Sequence, residues 1–459
     1  MIYGNGRVDD IKIAYIGGGS RGWAWGLMSD LAQANDISGE VRLYDIDREA
    51  AFHNEQIGNN IEGGNSIWKY KAVTSLKEAL IGADFVVISI LPGTFDEMES
   101  DVHTPEKYDI YQSVGDSFGP GGLIRSLRCI PMFEEIGLAI KTCCPEAWVI
   151  NYTNPMTLSV ASLYKVFPEI KAFGCCHEVF STQKLLASAL EDIMGIENVE
   201  REEIKTNVLA VNHFTWITKA QYKGIDLYPI YRQFAEKYKE VGNDTRKLGG
   251  GLKYFQNYNK VKIDLFLRFG VMAAAGDRHL AEFCPGDWYL QSPEQVEEWK
   301  FGLTPVSYRK EDLKNRLVRS ERYRSGEEKL ELTPTGEEGV RQIRAILGLA
   351  DLCTNVNMPN RGQIPNLPLG AIVESNAVFT SNSVTPVFAG NVPGSIMPLV
   401  SRVVGEQQII LEAAYKRDLD IAFAAFSCDP LVRLSLKDAK KLFDEMIENT
   451  SDYLGMYRK

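Results

Sequence analysis

The chain has 459 residues, long enough for two or three domains, and its apolar and charged fractions of 45% and 24% are those of a globular protein, not a disordered one. A formal net charge of −11 disfavours nucleic acid as a partner and leaves a small anionic substrate open, because a local site can be basic whatever the total. Met1 to Asp10 holds no apolar signal core and no later stretch runs 18 apolar residues, so a cytoplasmic protein free of membranes is expected.

In chain order, Lys12 to Ile16 is an apolar strand that runs into Gly17-Gly18-Gly19-Ser20-Arg21-Gly22 and then into a helical pattern. Gly17 suits a tight strand-to-helix turn, Gly19 a close backbone approach to a pyrophosphate, and Gly22 helix packing on the sheet. Val41 to Tyr44 follows as a second strand ending in Asp45, placed to accept from ribose hydroxyls and to favour NAD over its phosphorylated form; Arg48 could soften that preference. The alternative is that Asp45 only caps its strand. Asp47 to Gly63 has helical spacing, and Ala83 to Leu91 is a continuous apolar run suited to a buried parallel strand. A loop from Pro92 ends in Gly119-Pro120-Gly121-Gly122, Leu123 to Lys141 is helical, and Ala147 to Pro155 is a strand whose polar end, closed by the proline, presents Asn151 and Asn154. Thr157 to Val166 is a helix, Ile170 to Gly174 a strand, and Cys175-Cys176-His177-Glu178 opens another helix. The alternation predicts an α/β fold: a Rossmann-like, doubly wound parallel sheet over residues 1–199.

From about residue 200 the pattern changes. Lys205 to Leu209 and Phe214 to Gln221 read as strands around Asn212-His213, followed by helical patterns at Tyr228 to Lys239 and Gly250 to Phe269. Glu297 to Leu330 is highly charged; Thr335 to Leu349 is an amphipathic helix; Ala371 to Glu374 and Val384 to Val387 are short strands; Met397 to Tyr415 is a long helix able to serve core or oligomer contacts. Residues 200–459 are therefore expected to form a C-terminal α+β substrate and metal domain, the whole being lactate/malate dehydrogenase-like and assembling as a dimer or tetramer.

Three of the five histidines sit in motif-like settings: His177 after Cys176, His213 after Asn212, and His279 in Gly276-Asp277-Arg278-His279. Cys176 and His213 could give a divalent ion a thiolate and an imidazole; equally, Cys176 could be a small buried hydrophobe and His213 a satisfied core histidine. The eight cysteines, with Cys143-Cys144 and Cys175-Cys176 adjacent, lack the spacing of a disulfide framework.

Gly17-Gly18-Gly19-Ser20, the Gly119-Pro120-Gly121-Gly122 loop with Arg125 and Arg128, Asn151-Tyr152-Thr153-Asn154-Pro155, Cys176-His177-Glu178-Val179 and Asn212-His213 occur in this order. Together they resemble the NAD- and manganese-dependent glycosidases of glycoside hydrolase family 4. Cys-His-Glu-Val is similar to the uronide-cleaving branch, that of bacterial α-galacturonidases. The resemblance implies hydrolysis of α-galacturonides without net redox change. NAD takes hydride from carbon 3, a base removes the carbon 2 proton beside a divalent ion, an acid assists the leaving oxygen, water adds and hydride returns. It implies Cys176 and His213 as Mn2+ ligands, Asn154 as a substrate contact, His177 as the acid and Asp277 as the base, although Asp277 could instead be a helix cap or a partner of Arg278. Pro92 to Asp96 offers no cation for a sugar phosphate, and Arg278 is expected to pair the uronate carboxylate. Alternatives are an α-glucuronidase or α-galactosidase of the same family, a lactate/malate-type NAD dehydrogenase, and an NAD sensor.

Overall fold

The computed structural model describes residues 1–61, 67–243 and 253–457. The expected helix ends at Gly63 and Gly250 lie outside them. The strands are β1 (Ile2–Gly4), β2 (Arg7–Ile16), β3 (Ile37–Tyr44), β4 (Trp68–Ala72), β5 (Phe85–Ile88), β6 (Trp148–Asn151) and β7 (Lys171–Gly174), then β8 (Lys205–Val211), β9 (Phe214–Tyr222), β10 (Ile225–Asp226) and β11 (Met272–Ala273), and finally β12 (Leu352–Pro359), β13 (Ile372–Thr380) and β14 (Ser383–Pro386).

Six of them, in the order β4-β3-β2-β5-β6-β7, pair in parallel, with β1 antiparallel to β2. This is the doubly wound dinucleotide order, with its switch point between β2 and β5. The parallel strands are apolar because helices cover both faces: all four residues of β5 are buried, as are Ile13 to Ile16 of β2.

The second half of the chain builds another sheet and then returns to the first. β8 and β9 form a hairpin whose turn is Asn212-His213, with His213 at φ 62, and β10 and β11 pair with β9. β12 then lies antiparallel beside β7 through Asn357 and Gly174, and β13 and β14 extend that edge, giving a ten-stranded mixed sheet. β12 breaks the usual pattern of a strand because Thr354, Asn355 and Asn357 are buried together with Val356 and Met358.

The loop expected from Pro92 to Gly122 contains the helix Phe95–His103, started by a capping box between Thr94 and Glu97, and two further helices differ from expectation. The helix Gly119–Cys143 begins inside the glycine loop, not after it. Pro120 fits a first turn, and a Cβ on Gly121 would meet the Asp101 carbonyl, while one on Gly122 would meet the Ser117 backbone. The helix expected from Thr335 starts only at Gly339, because Thr335 is held on an earlier helix by Asp30, which accepts from its backbone N–H at 2.9 Å and from its hydroxyl. Among the described residues, no helix is long and apolar enough to cross a membrane.

Candidate active site

The glycine loop is built from the inside. Gly17 turns the chain at φ 90, and a Cβ there would run into the Ser89 carbonyl. The Gly17 and Gly18 N–H groups both donate to the Tyr44 carbonyl at 2.9 Å, that of Ser20 to the Gly17 carbonyl at 3.0 Å, and that of Gly19 to Asp45 Oδ2 at 2.9 Å. These donors are spent, so those left for an anion belong to the start of the helix Trp23–Gln33, whose cap, Gly22, supplies no side-chain acceptor. The glycine roles expected from the fingerprint therefore shift. Gly18 is the residue that lets the loop press on the sheet, since its Cβ would stand 2.8 Å from Leu43 Cα, whereas Gly22 makes room for the Arg316 guanidinium, which donates to the Arg21 carbonyl at 2.9 Å. A dinucleotide fits this frame. Asp45 accepts one backbone N–H on each oxygen and retains lone pairs for a ribose, and beside it Ile46 stands 89% exposed as an apolar shelf for a flat ring.

Beyond the carboxyl ends of β6 and β7, Asp116, His213 and His279 each bring one donor atom within 4.8 Å of the other two. Ser117 decides the state of His213. Its hydroxyl donates to Asp116 Oδ1 at 2.7 Å, so it can only accept from His213 Nδ1 at 3.0 Å, which leaves Nε2 with a free lone pair, the form that binds metal. Burial, and then His279, lowers the His213 imidazole to about 4, so it is neutral at physiological pH. Burial opposes ionisation of Asp116, but His213, His279 and Arg125 hold it well below the usual carboxylate range. The two imidazoles are stacked, 3.8 Å between centroids and 27° between planes. Asp116, His213 and His279 would together offer a divalent ion a carboxylate oxygen and imidazole nitrogens. The carboxylate oxygen of Asp116 suits manganese, and the imidazole nitrogen suits a divalent transition metal in general.

Cys176 is buried close to Glu374. Burial, and then Glu374, pushes its thiol well above the ordinary value, and the same carboxylate acts on His213. Glu374, on β13, accepts from Asn355 at 2.6 Å, Thr215 at 2.8 Å and Asn212 at 3.3 Å. Asn154 donates to Asp116 Oδ2 at 3.3 Å, and its own Oδ1 is buried without a partner among the described residues, an acceptor waiting for a donor. His177, half exposed, makes a 2.9 Å contact through Nδ1 with Glu337 Oε1, which raises the imidazole to about 9.

Asp277 and Arg278 do not join this group. Asp277 is fully buried under the start of the helix Lys260–Phe269, where its Oδ1 accepts from the Lys262 N–H at 3.1 Å, and burial raises it to about 6. That is the helix-end role, and the geometry does not support the expected base. Arg278 donates to the carbonyls of Ser113 at 2.8 Å and Gly302 at 3.2 Å and to Thr304 Oγ1, with its guanidinium over the Phe255 ring. It ties two loops together and is not the free fork that was expected. The nearer cation is Arg125, 4% exposed, with Nε on the Asn154 carbonyl at 3.2 Å. Asp116, Glu374 and Glu337 were not singled out from sequence: each is a lone acid in a loop or strand, recognisable only once the fold supplies its partner.

The description "Family 4 glycosyl hydrolase" matches residues 12–192 and "Family 4 glycosyl hydrolase C-terminal domain" residues 208–432. An alpha-galacturonidase of Thermoanaerobacterium saccharolyticum is 64% identical over 462 residues, covering 100% of this chain and 99% of its own. The crystal structure of a putative glucosidase from Bacillus subtilis superimposes with a TM-score of 0.92 at 52% identity, over 95% of this chain and 100% of that one. A 6-phospho-alpha-glucosidase from gut microorganisms, solved in complex with NAD and Mn2+, shares the fold at a TM-score of 0.81 and 20% identity, over 97% and 99% of the two chains. Since the family's two halves are matched in order and so similar a relative runs the whole length, the chain belongs to glycosyl hydrolase family 4 and is a glycoside hydrolase.

Proposed function

We propose that this chain hydrolyses α-galacturonides with NAD and a divalent ion, Mn2+ or a similar one, as resident cofactors and with no net oxidation. The observation that carries the reading is the 64% identity, over the entire chain, to a protein named alpha-galacturonidase. When bound, NAD supplies a reversible hydride acceptor for carbon 3 of the sugar and the ion supplies charge stabilisation beside the sugar's oxygens.

The chain's own residues then divide the work. Asp45 and the start of the helix Trp23–Gln33 would hold the dinucleotide; His213 and Asp116, with Cys176, would hold the ion. Asn154 Oδ1 receives a sugar hydroxyl, and His177 gives its proton to the glycosidic oxygen. Of the two bases in the turn from Gly276 to His279, His279 fits removal of the carbon 2 proton better, because it lies in one group with Asp116 and His213 while Asp277 is fully buried under the start of a helix.

Turnover of a galacturonide in heavy water tests the reading. The released galacturonate carries deuterium at carbon 2 and NADH does not accumulate. Product without deuterium, formed at full rate in the absence of NAD, overturns the mechanism, and NADH accumulating with product identifies a dehydrogenase. Asp277→Asn retains the exchange and His279→Ala loses it.

A further inference from the structure

His177 caps the helix Glu178–Met194, immediately after β7, and its two ring nitrogens meet very different surroundings. Nδ1 lies 2.9 Å from Glu337 Oε1, within hydrogen-bond distance, whereas Nε2 is 4.0 Å from its nearest ion-pair partner, Glu178 Oε1, too far for a hydrogen bond. The ring also stacks on Trp23, 6.4 Å between centroids and 26° between planes, and Trp23 in turn packs on Tyr152 at 5.2 Å.

Glu337 is itself firmly placed. The Glu337 N–H donates to Thr335 Oγ1 at 3.1 Å, Thr335 is fixed by Asp30, and the Thr333 carbonyl accepts from Ser29 at 2.8 Å, so the segment from Thr333 to Glu337 is pinned to the helix Trp23–Gln33. On its other side Glu338 accepts from Arg201 at 2.8 Å. The second oxygen, Glu337 Oε2, is buried with no hydrogen-bond partner among the described residues, so the carboxylate engages His177 through one oxygen. A cavity of about 280 Å³ adjoins the pair, lined by Trp23, Tyr152, Arg316 and Glu337 among others.

We propose that Glu337 is a positioning residue for His177. This rests on the reading of His177 as the acid. Glu337 accepts the Nδ1–H and thereby makes Nε2 the nitrogen whose proton is delivered. As the bond from carbon 1 to the glycosidic oxygen breaks, the bonding pair goes to that oxygen, which takes the Nε2 proton; His177 is left neutral as the Nδ1–H tautomer, still bonded to Glu337. The carboxylate balances the imidazolium before transfer and fixes the ring plane through it.

The test compares Glu337→Ala, Glu337→Gln and His177→Ala in the NAD- and Mn2+-loaded enzyme, over a series of galacturonides whose leaving groups run from dinitrophenol to an alcohol. General acid assistance is worth about 10²- to 10⁴-fold. Glu337→Ala is expected to lose about a hundredfold on the alcohol and no more than about twofold on dinitrophenol. Glu337→Gln, whose carbonyl still accepts the Nδ1–H, recovers most of the loss. Only five histidines are present, so selective 15N labelling resolves the His177 ring. At a pH where the neutral form is populated, the Nδ1–H tautomer dominates in the native protein and in Glu337→Gln and gives way to Nε2–H in Glu337→Ala. A uniform loss across leaving groups with an unchanged tautomer overturns the proposal. If His177→Ala shows no dependence on leaving group, the reading of His177 as the acid fails and the proposal with it. If His177→Ala is steep and Glu337→Ala is flat, only the positioning role fails.

Discussion

Gly18 rests on Leu43 so closely that a methyl group on it would stand 2.8 Å from the Leu43 Cα, a backbone atom of β3 that cannot step aside. Gly22, by contrast, faces only the tip of the Arg316 side chain, which can swing away. Overpacking against a fixed wall costs about 1–3 kcal/mol, equivalent to about fivefold to 150-fold in a binding constant. Gly18→Ala is thus expected to weaken NAD binding on that scale, and Gly22→Ala by no more than about threefold. Fluorescence titration of NAD into the two variants checks the order; the reverse order would return the packing role to Gly22.

The Ser117 hydroxyl sets the tautomer of His213, and losing such an outer partner typically costs about 10- to 100-fold in metal affinity. Ser117→Ala should weaken Mn2+ binding by that factor while NAD binding is retained. Electron paramagnetic resonance of free Mn2+, titrated against the protein, reads the effect directly. The same titration on Cys176→Ser and His279→Gln shows which side of His213 supplies the next donor.

Arg278 commits Nε and Nη2 to Ser113, Gly302 and Thr304, so Arg278→Ala should lower the thermal midpoint and reduce turnover of uronides and neutral galactosides alike. Arg125→Gln should discriminate. A charge-assisted bond to a carboxylate is worth about 1.5–3 kcal/mol, or roughly tenfold to a hundredfold against uronides alone. Steady-state kinetics on a matched pair of nitrophenyl substrates decides it, and a selective uronide loss in Arg278→Ala would reinstate that residue.

The parallel half of the fold is legible because strands covered on both faces must be apolar throughout, as in Phe85 to Ile88. β12 is not, because its inward Asn355 and Asn357 serve Glu374 and Met156 instead of adding apolar surface. At the site, Asn154, Cys176, His177 and His213 are announced by their neighbours along the chain. Asp116 and Glu337 acquire meaning only from residues far away in sequence, and Asp277 shows the converse: a motif-borne carboxylate whose partner, the end of a helix, no spacing reveals.

Glu406 and Asp429 form a buried acidic pair under the N-terminus of the helix Gly119–Cys143, near the Arg402 guanidinium at 3.7 Å from Glu406. Burial raises both carboxyls, Asp429 to about 7 and Glu406 to about 9. Because the folded state keeps protons that the unfolded chain releases near pH 4, stability from the pair is complete below that pH and is lost as pH rises through the folded values. The thermal midpoint should therefore fall between about pH 5 and pH 9, and Glu406→Gln should flatten the fall. Equal slopes in the two proteins would mean that the pair does not hold the proton.

The return of β12 to the edge of β7 sets an order of events during synthesis. The six parallel strands are complete once Gly174 has emerged, yet their neighbour begins only at Leu352, roughly 180 residues later, which at about 5–20 residues per second is some ten to forty seconds. Throughout that interval the ribosome-bound chain leaves the Gly174 end of β7 without the partner it later finds in Asn357, an open edge to which another strand can add. A gene cut after residue 199 would leave that edge open permanently, and its product would seek from a second copy, or from an aggregate, the pairing that the intact polypeptide reserves for itself.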